Sequence, residues 1–321
     1  MAVTAGTWTT HTSIGNREDL EDVIYDITPM DFPLMSNISR GTCNATLFEW
    51  QTDALAAATA ANAQVEGDAA SAGSSTATKR FGNRTQIATK TARVTGTLRA
   101  VDTAGRADEL SYQTSRRARE LKRDVEMTLC GTQVATAGSF VSARACAGLA
   151  GWLFTNQTVT AGGTTNTTPA VTSGPPITAS TAGTAAAVTS TNLGDNIALC
   201  WAAGGDPRMV LMDAANKRIM SGFTGIATLY KDVPKDAPAT LIGAADIYVS
   251  DFGQHSLIAS RFVPTDVVYV LDTEQLAVKY LRPMQTNPLA KTGDADQVQL
   301  LCEFTLQVKE PDASGKIYTT T

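Results

Sequence analysis

The sequence has 321 residues, 43% of them hydrophobic and 18% charged, enough apolar material for one large domain or two ordinary ones. A formal charge of -5 and a pI near 5.1 argue against a protein built to grip nucleic acid over its whole surface. Two histidines and five cysteines are sparse material for metal or nucleophile chemistry; Cys43, Cys130, Cys146, Cys200 and Cys302 form no CxxC pair, so free, mostly buried thiols are expected.

The opening MAVTAGTWTTHTSIG lacks a signal-peptide pattern, and no run approaches the roughly 18 apolar residues of a membrane span, so no membrane partner is expected. Residues 1–44 read as a polar, extended arm with two basic and six acidic side chains, a net -4. Asn16 suits the cap of a short helical turn through Asp26, with Leu20, Val23, Ile24 and Ile27 on its apolar side, before Pro29 and Pro33 break the path. Such an arm cannot fold alone and needs a surface to lie on.

Residues 45–100 read as a two-stranded excursion. Phe48 and Trp50 alternate with Glu49, Gln51 and Asp53 in a first leg, and the Thr-rich stretch from Arg84 to Leu98 is the expected second leg. Between them lies an Ala-rich, flexible segment. Two legs of ten to twelve residues would reach roughly 35 Å. An isolated ribbon is marginal in water, so packing on something else, another copy included, is expected.

The strongest signal is Arg106 to Gly131, expected to be one long helix of roughly 38 Å. Ala107, Leu110, Thr114, Ala118, Leu121, Val125 and Leu129 follow steps of three and four on one face. Asp108 and Glu109 suit its positive end, and Gly131 suits a left-handed stop. From Lys79 to Arg123 there are twelve basic and four acidic residues, a net +8. Such a run is a solvated face, a nucleic-acid contact or a contact for the acidic arm of a neighbouring subunit. The matching negative arm and the lack of interleaved aromatics favour the neighbour over DNA.

Residues 145–194 contain no charged side chain, and their centre is low-complexity Thr, Ala, Gly and Ser. Beyond it, Leu193 to Ala203 reads as a helix with Leu193, Ile197 and Trp201 on one side. MVLM (209–212) is a short buried strand, and Asp213 caps the turn that follows. Strands are expected at Ala239 to Ser250, Gln254 to Phe262, Val267 to Leu271 and Leu276 to Leu281. The cleanest alternation runs from Gln297 to Lys309, with Leu301 the one apolar residue on the polar side. KIYTT is expected to pair back after a turn at Asp312 to Gly315. Helices and strands mix without a βαβ rhythm, so the fold class is α+β.

Chemistry is hard to find. His255 follows DFGQ without any other kinase element, and Asp294 and Asp296 do not match an EF-hand loop. Met209, Met212 and Trp201 read as core rather than a cofactor box, and no Ser/His/Asp or Cys/His set stands out. No cofactor, metal or catalytic residue is expected, and the protein reads as no enzyme. A Thr-rich surface adhesin or fibre module is the alternative that residues 155–191 favour.

Four blocks carry a resemblance: NREDLEDVIYDITPMDFPLMSNI (16–38), TLFEWQTDAL (46–55), RAVDTAGRADELSYQTSRRARELKRDVE (99–126) and AVKYLRPMQTNPLAKTGDADQVQLLCEFTL (277–306). In that order they resemble a family of tailed-phage major capsid proteins; the insert at 155–191 has no counterpart there. The resemblance implies the Hong Kong (HK-type) capsid fold. Its parts would be an N-terminal arm (1–44), an extended loop (45–100), a spine helix opening the peripheral domain (101–146), an axial domain (147–260) and peripheral strands (261–321). It implies a head protein that self-assembles into hexamers and pentamers of an icosahedral shell around double-stranded DNA, in the virion, after assembly in the host cytoplasm. A shell of the same fold around protein cargo, as in encapsulins, is the nearest alternative.

Implied partners are further copies, a portal, packaged DNA touched non-specifically on the inner face, and a decoration protein. The family motif begins at Asn16, so scaffolding is expected from a separate protein. Lys79 and Lys90 lie where some relatives crosslink a loop lysine to a neighbour's asparagine, but no motif supports that here. The inter-subunit contacts expected are Glu18, Asp19, Glu21 and Asp22 on the arm, Trp50, Arg84 and Arg93 on the loop, and Arg106, Arg116, Arg117, Arg119 and Arg123 on the spine.

Overall fold

The computed structural model describes residues 28–67, 77–103, 105–159, 170–179, 187–223 and 246–319, with residues 7, 69 and 73 besides. The helical turn expected at 16–26 and the arm's acidic residues other than Asp31 lie outside the described residues.

In chain order, α1 (Pro33–Asn37) and β1 (Ser39–Thr42) lead into β2 (Leu47–Thr52), β3 (Lys79–Arg84), β4 (Gln86–Thr95) and α2 (Gly96–Ala100). The long helix α3 (Glu109–Cys130) follows, then α4 (Leu149–Trp152), β5 (Asn156–Val159), α5 (Ser190–Ala202), β6 (Met209–Met212) and α6 (Ala214–Ser221). The chain finishes with β7 (Ile247–Ser250), β8 (Gly253–Ala259), β9 (Val267–Leu271), β10 (Leu276–Pro288), β11 (Ala295–Val308) and β12 (Gly315–Tyr318).

Among the described residues the strands form three sheets: β1-β10-β11-β4, β5-β12-β9-β6-β8-β7 and the ribbon β2-β3. The six-stranded sheet is apolar on both faces, which explains the unbroken runs MVLM and VVYVL. Met209, Leu211, Tyr269, Leu271 and Tyr318 face a core shared with α3, α4 and the four-stranded sheet. Val210, Met212, Val268, Val270 and Ile317 face a second cluster with Leu193 and Ile197 of α5. The α+β class expected from the sequence holds.

Several expectations need correcting. The ribbon partner of β2 is β3, with Trp50 opposite Phe81, whereas β4 joins β11 in the four-stranded sheet. The expected second leg, from Arg84 to Leu98, was therefore one strand late. KRFGNR hides its role because the Asn83 side chain, which donates to the carbonyls of Ala147 and Leu306 at 3.2 and 2.8 Å, is buried like an apolar residue. The paired legs have six residues each, about half the length expected.

The long helix starts at Glu109, capped by the Asp108 carboxylate, which accepts the Leu110 and Ser111 N–H at 3.2 and 3.3 Å. Ala107 lies before the helix and is exposed. Gly131 is not left-handed; its φ is -72° and ψ 173°, so the chain leaves extended. There it is crossed so closely by Gly148 that a Cβ on Gly148 would lie 2.3 Å from the Gly131 carbonyl oxygen. Trp201 is exposed and stacks on Phe252 at 5.2 Å instead of joining Leu193 and Ile197. Residues 315–318 do not pair back on β11 but enter the six-stranded sheet between β5 and β9. With β9, they share a sheet with β5 to β8, although the sequence grouped both with the spine.

The alternation of β11 marks the strand correctly, yet its polar face is buried as well from Leu300 onward. Glu303 is the reason this is tolerable. Its carboxylate takes the Thr85 hydroxyl at 2.8 Å, Arg144 at 2.5 Å and Arg282 Nε at 2.9 Å. A bulge between Tyr280 and Arg282 places Arg282 opposite Glu303.

Candidate functional site

The expected contact residues that the structure describes lie on or next to α3, on β4 and on the ribbon, and half of the twelve cations of residues 79–123 are already in ion pairs. Arg106 pairs with Glu109 at 2.5 Å, and Gln113 followed by Arg106 holds the Glu109 carboxyl below its usual range. Arg116 and Arg117 both reach Glu120, at 3.5 and 2.5 Å. Lys90 pairs with Asp124 at 2.8 Å, and Arg99 and Lys291 converge on Asp296, whose carboxyl they hold low. Asp296 is thus an ion-paired anchor rather than a freely solvated turn residue. Those of Glu109 and Glu120 are spacings of three and four along the chain, the others join neighbouring elements, and surface pairs of this kind contribute little to stability.

Arg93 donates to the Thr292 carbonyl at 3.5 Å, and Arg123 lies over the Phe262 ring at 5.9 Å. Arg84 and Arg119 have no side-chain hydrogen bond or ion pair among the described residues, and neither have Lys79 and Lys122 of the same run, so these four are cations open to another molecule. Glu18, Asp19, Glu21 and Asp22 lie outside the described residues. Trp50 sits on its own chain: its Nε1 donates to the Lys309 carbonyl at 3.2 Å and its ring lies 5.2 Å from Trp152. It roots the ribbon.

Beyond that root, residues 53–67 are exposed, with Leu55 98% and Val65 76% accessible. The insert is partly strapped down. Gly174 donates to the Arg80 carbonyl at 2.8 Å and accepts from Gly82 N–H at 3.2 Å, and Pro176 accepts from Ala135 N–H at 2.8 Å.

Two buried groups escaped the sequence reading. Glu126 of α3 accepts the N–H groups of Leu34 and Met35 at 2.7 and 3.0 Å, tying α1 to the spine, and burial pushes its pKa up. Lys316 is fully buried, donates to the Ala150 carbonyl at 2.6 Å, and burial brings its pKa down to about 7. The i−4 spacing of Glu126 from Lys122 and Lys122's exposure gave no hint that this carboxylate turns inward. All five thiols are buried and unpaired; burial lifts Cys146 and Cys200 to about 12. His255 is buried between Ser250 Oγ at 2.7 Å and the Pro207 carbonyl at 2.5 Å, and burial lowers its pKa. Among the described residues no three His, Cys, Asp or Glu side chains gather as a metal site would need. What the surface offers is contact area.

The profile of the SU10 major capsid protein family matches residues 3–321. The chain belongs to that family. The capsid protein is 27% identical to the major capsid protein of Escherichia phage Phieco32, over 95% of this chain and 94% of that one. Its fold is that of the capsid of a native GTA particle (TM-score 0.61, 12% identity, 97% and 98% of the two chains). It is similarly that of Gordonia phage Cozz (TM-score 0.60, 11% identity, 99% and 97%) and of the SrpI encapsulin of Synechococcus elongatus (TM-score 0.56, 14% identity, 95% and 92%). The capsid protein therefore has the HK-type fold, is a structural component of the phage virion, and assembles with its own copies into the shell. No helix among the described residues is long and apolar enough to cross a membrane.

Proposed function

We propose that this capsid protein forms hexamers and pentamers of an icosahedral shell around double-stranded DNA. The observation that carries the reading is the wholly exposed 53–67 segment standing off the packed body. A bare ribbon end of this kind is marginal alone and is stabilised by lying on a neighbour. In the proposed layout, residues 1–44 are the arm, 45–100 the extended loop, 101–146 the spine with the start of the peripheral domain, 147–260 the bulk of the axial domain and 261–321 mainly peripheral strands. β9 and β12 are lent to the axial sheet. The acidic arm, with Glu18, Asp19, Glu21 and Asp22, docks on a neighbour, and Arg84 and Arg119 are the cations best placed to receive it. Apolar strand and ribbon faces supply most of the burial.

A separate scaffolding protein, a portal and a decoration protein complete the set of partners, and DNA is touched non-specifically. The chain works by assembly, with no catalytic turnover. Electron microscopy of the expressed protein tests this: closed icosahedral particles are expected, and a compact lone monomer at high concentration overturns it. Particles filled with protein rather than DNA during phage infection would point to the encapsulin-like alternative. Reversing the charge of Arg84 and Arg119 is expected to weaken association without unfolding the subunit; unchanged association removes the electrostatic docking.

A further inference from the structure

The loop from Thr136 to Ala145 is held in one shape at three levels. Its neck is closed by the Thr136 N–H donating to the Ala145 carbonyl at 3.0 Å and the reverse bond at 3.4 Å. Its base is pinned by Arg144, whose Nε donates to the Thr85 carbonyl at 2.6 Å and whose guanidinium pairs with buried Glu303. At its tip Ser139 N–H donates to the Ser142 carbonyl at 2.9 Å, the two hydroxyls lie 2.7 Å apart, and Ser139 Oγ accepts from Val141 and Ser142 N–H at 3.3 and 3.1 Å. Gly138 takes a φ of +73°, where a side chain would be strained.

All this order holds two apolar side chains in water: Phe140 is fully exposed and Val141 97% exposed. A single exposed apolar residue is ordinary. An adjacent aromatic and branched pair on a hydrogen-bonded turn is different, because its ordering cost is met before any partner arrives. No charged residue lies between Gly131 and Ala143, so neither nucleic acid nor an acidic or basic partner finds a counter-charge here.

We infer that Phe140 and Val141 of one copy seat against the 54–65 segment of a second copy in the shell. Residues 54–65 are likewise uncharged, mostly alanine, and expose Leu55 and Val65 among small side chains that an aromatic ring can lie across. A chain's own segment leaves its own Phe140 bare, so the cover comes from another molecule. The inference rests on the capsid reading and assigns one contact within it.

The test uses the full chain. The double variant Phe140→Ser with Val141→Ser is expected to keep the unassembled subunit's circular dichroism and melting point, and to need about tenfold or more protein to form particles, as the loss of an interface anchor implies. In parallel, Leu55→Cys with Phe140→Cys is oxidised in assembled particles; the native thiols are buried, so disulfide-linked dimers and longer ladders report this contact alone. Particles that form at the normal concentration from the serine variant, without ladders from the cysteine pair, overturn the inference while leaving the capsid reading intact. A disulfide closed within one chain overturns it too. If the unaltered chain forms no particles, the capsid reading falls first and this contact with it.

Discussion

The two halves of α3 carry one apolar stripe under two different covers. In the C-terminal half, Leu121, Val125, Leu129 and Cys130 are at most 1% exposed, sealed by the shared core, and even Glu126 is turned inward to hold α1. In the N-terminal half, Leu110, Thr114 and Ala118 are only partly covered, and the flanks carry Arg106, Arg116 and Arg117 paired to carboxylates of the same helix. The spacing of a stripe decides which face turns inward; what lies opposite decides how fully it is buried. One half of the helix is bound into the subunit's core, and the other is left partly open to solvent.

The largest expected effect breaks or keeps that contrast directly. Leu121→Ala should cost about 2–5 kcal/mol in the thermal or urea unfolding of the unassembled subunit, and Leu110→Ala less than about 1 kcal/mol. Equal costs would erase the distinction between the halves. Next, Glu126→Ala leaves two backbone N–H groups of α1 unpaired and should cost about 2 kcal/mol. Limited proteolysis should then cut near residues 33–37, and an unchanged digestion pattern would mean that α1 does not depend on the spine.

A further test asks how dry the sealed side is. Lys316 titrates near pH 7 in the folded chain, below its unfolded value of 10.5. Between those values the unfolded state holds the extra proton, so stability should rise with pH from about 7 to about 10, by at most about 1.4 kcal/mol per pH unit. Below about pH 7 the full cost of charging the buried amine is present in this group's contribution. Denaturation followed across that window should show the rise, and Lys316→Met should flatten it.

Local rules were legible where one residue acts on its own segment. Asp213 accepting the N–H groups of Ala215 and Asn216 at 3.1 Å each, the apolar run of β6 and the period-two pattern of β11 could all be read directly. Partners were harder. Both 79–84 and 86–95 are strands, and nothing in their composition says which one meets 47–52. The net +8 of residues 79–123 overstated the free charge, although the spacing of Arg116 and Arg117 from Glu120 already implied internal pairing. Glu303 was hidden because its two arginines come from residues 144 and 282, far apart in sequence. The exposed stretch of the ribbon was legible from its small, uncharged residues, whereas the ordered turn that exposes Phe140 and Val141 was not, since it sits in a stretch with no periodicity.

The topology also sets a timetable for synthesis. β1 pairs in parallel with β10, so residues 39–42 wait for residues 277–280, and β12, the last strand in chain order, takes an interior place between β5 and β9. Neither large sheet can close before residues 277–318 have been made. The subunit matures after the ribosome has delivered its late strands, and loop closures across more than two hundred residues make that step slow.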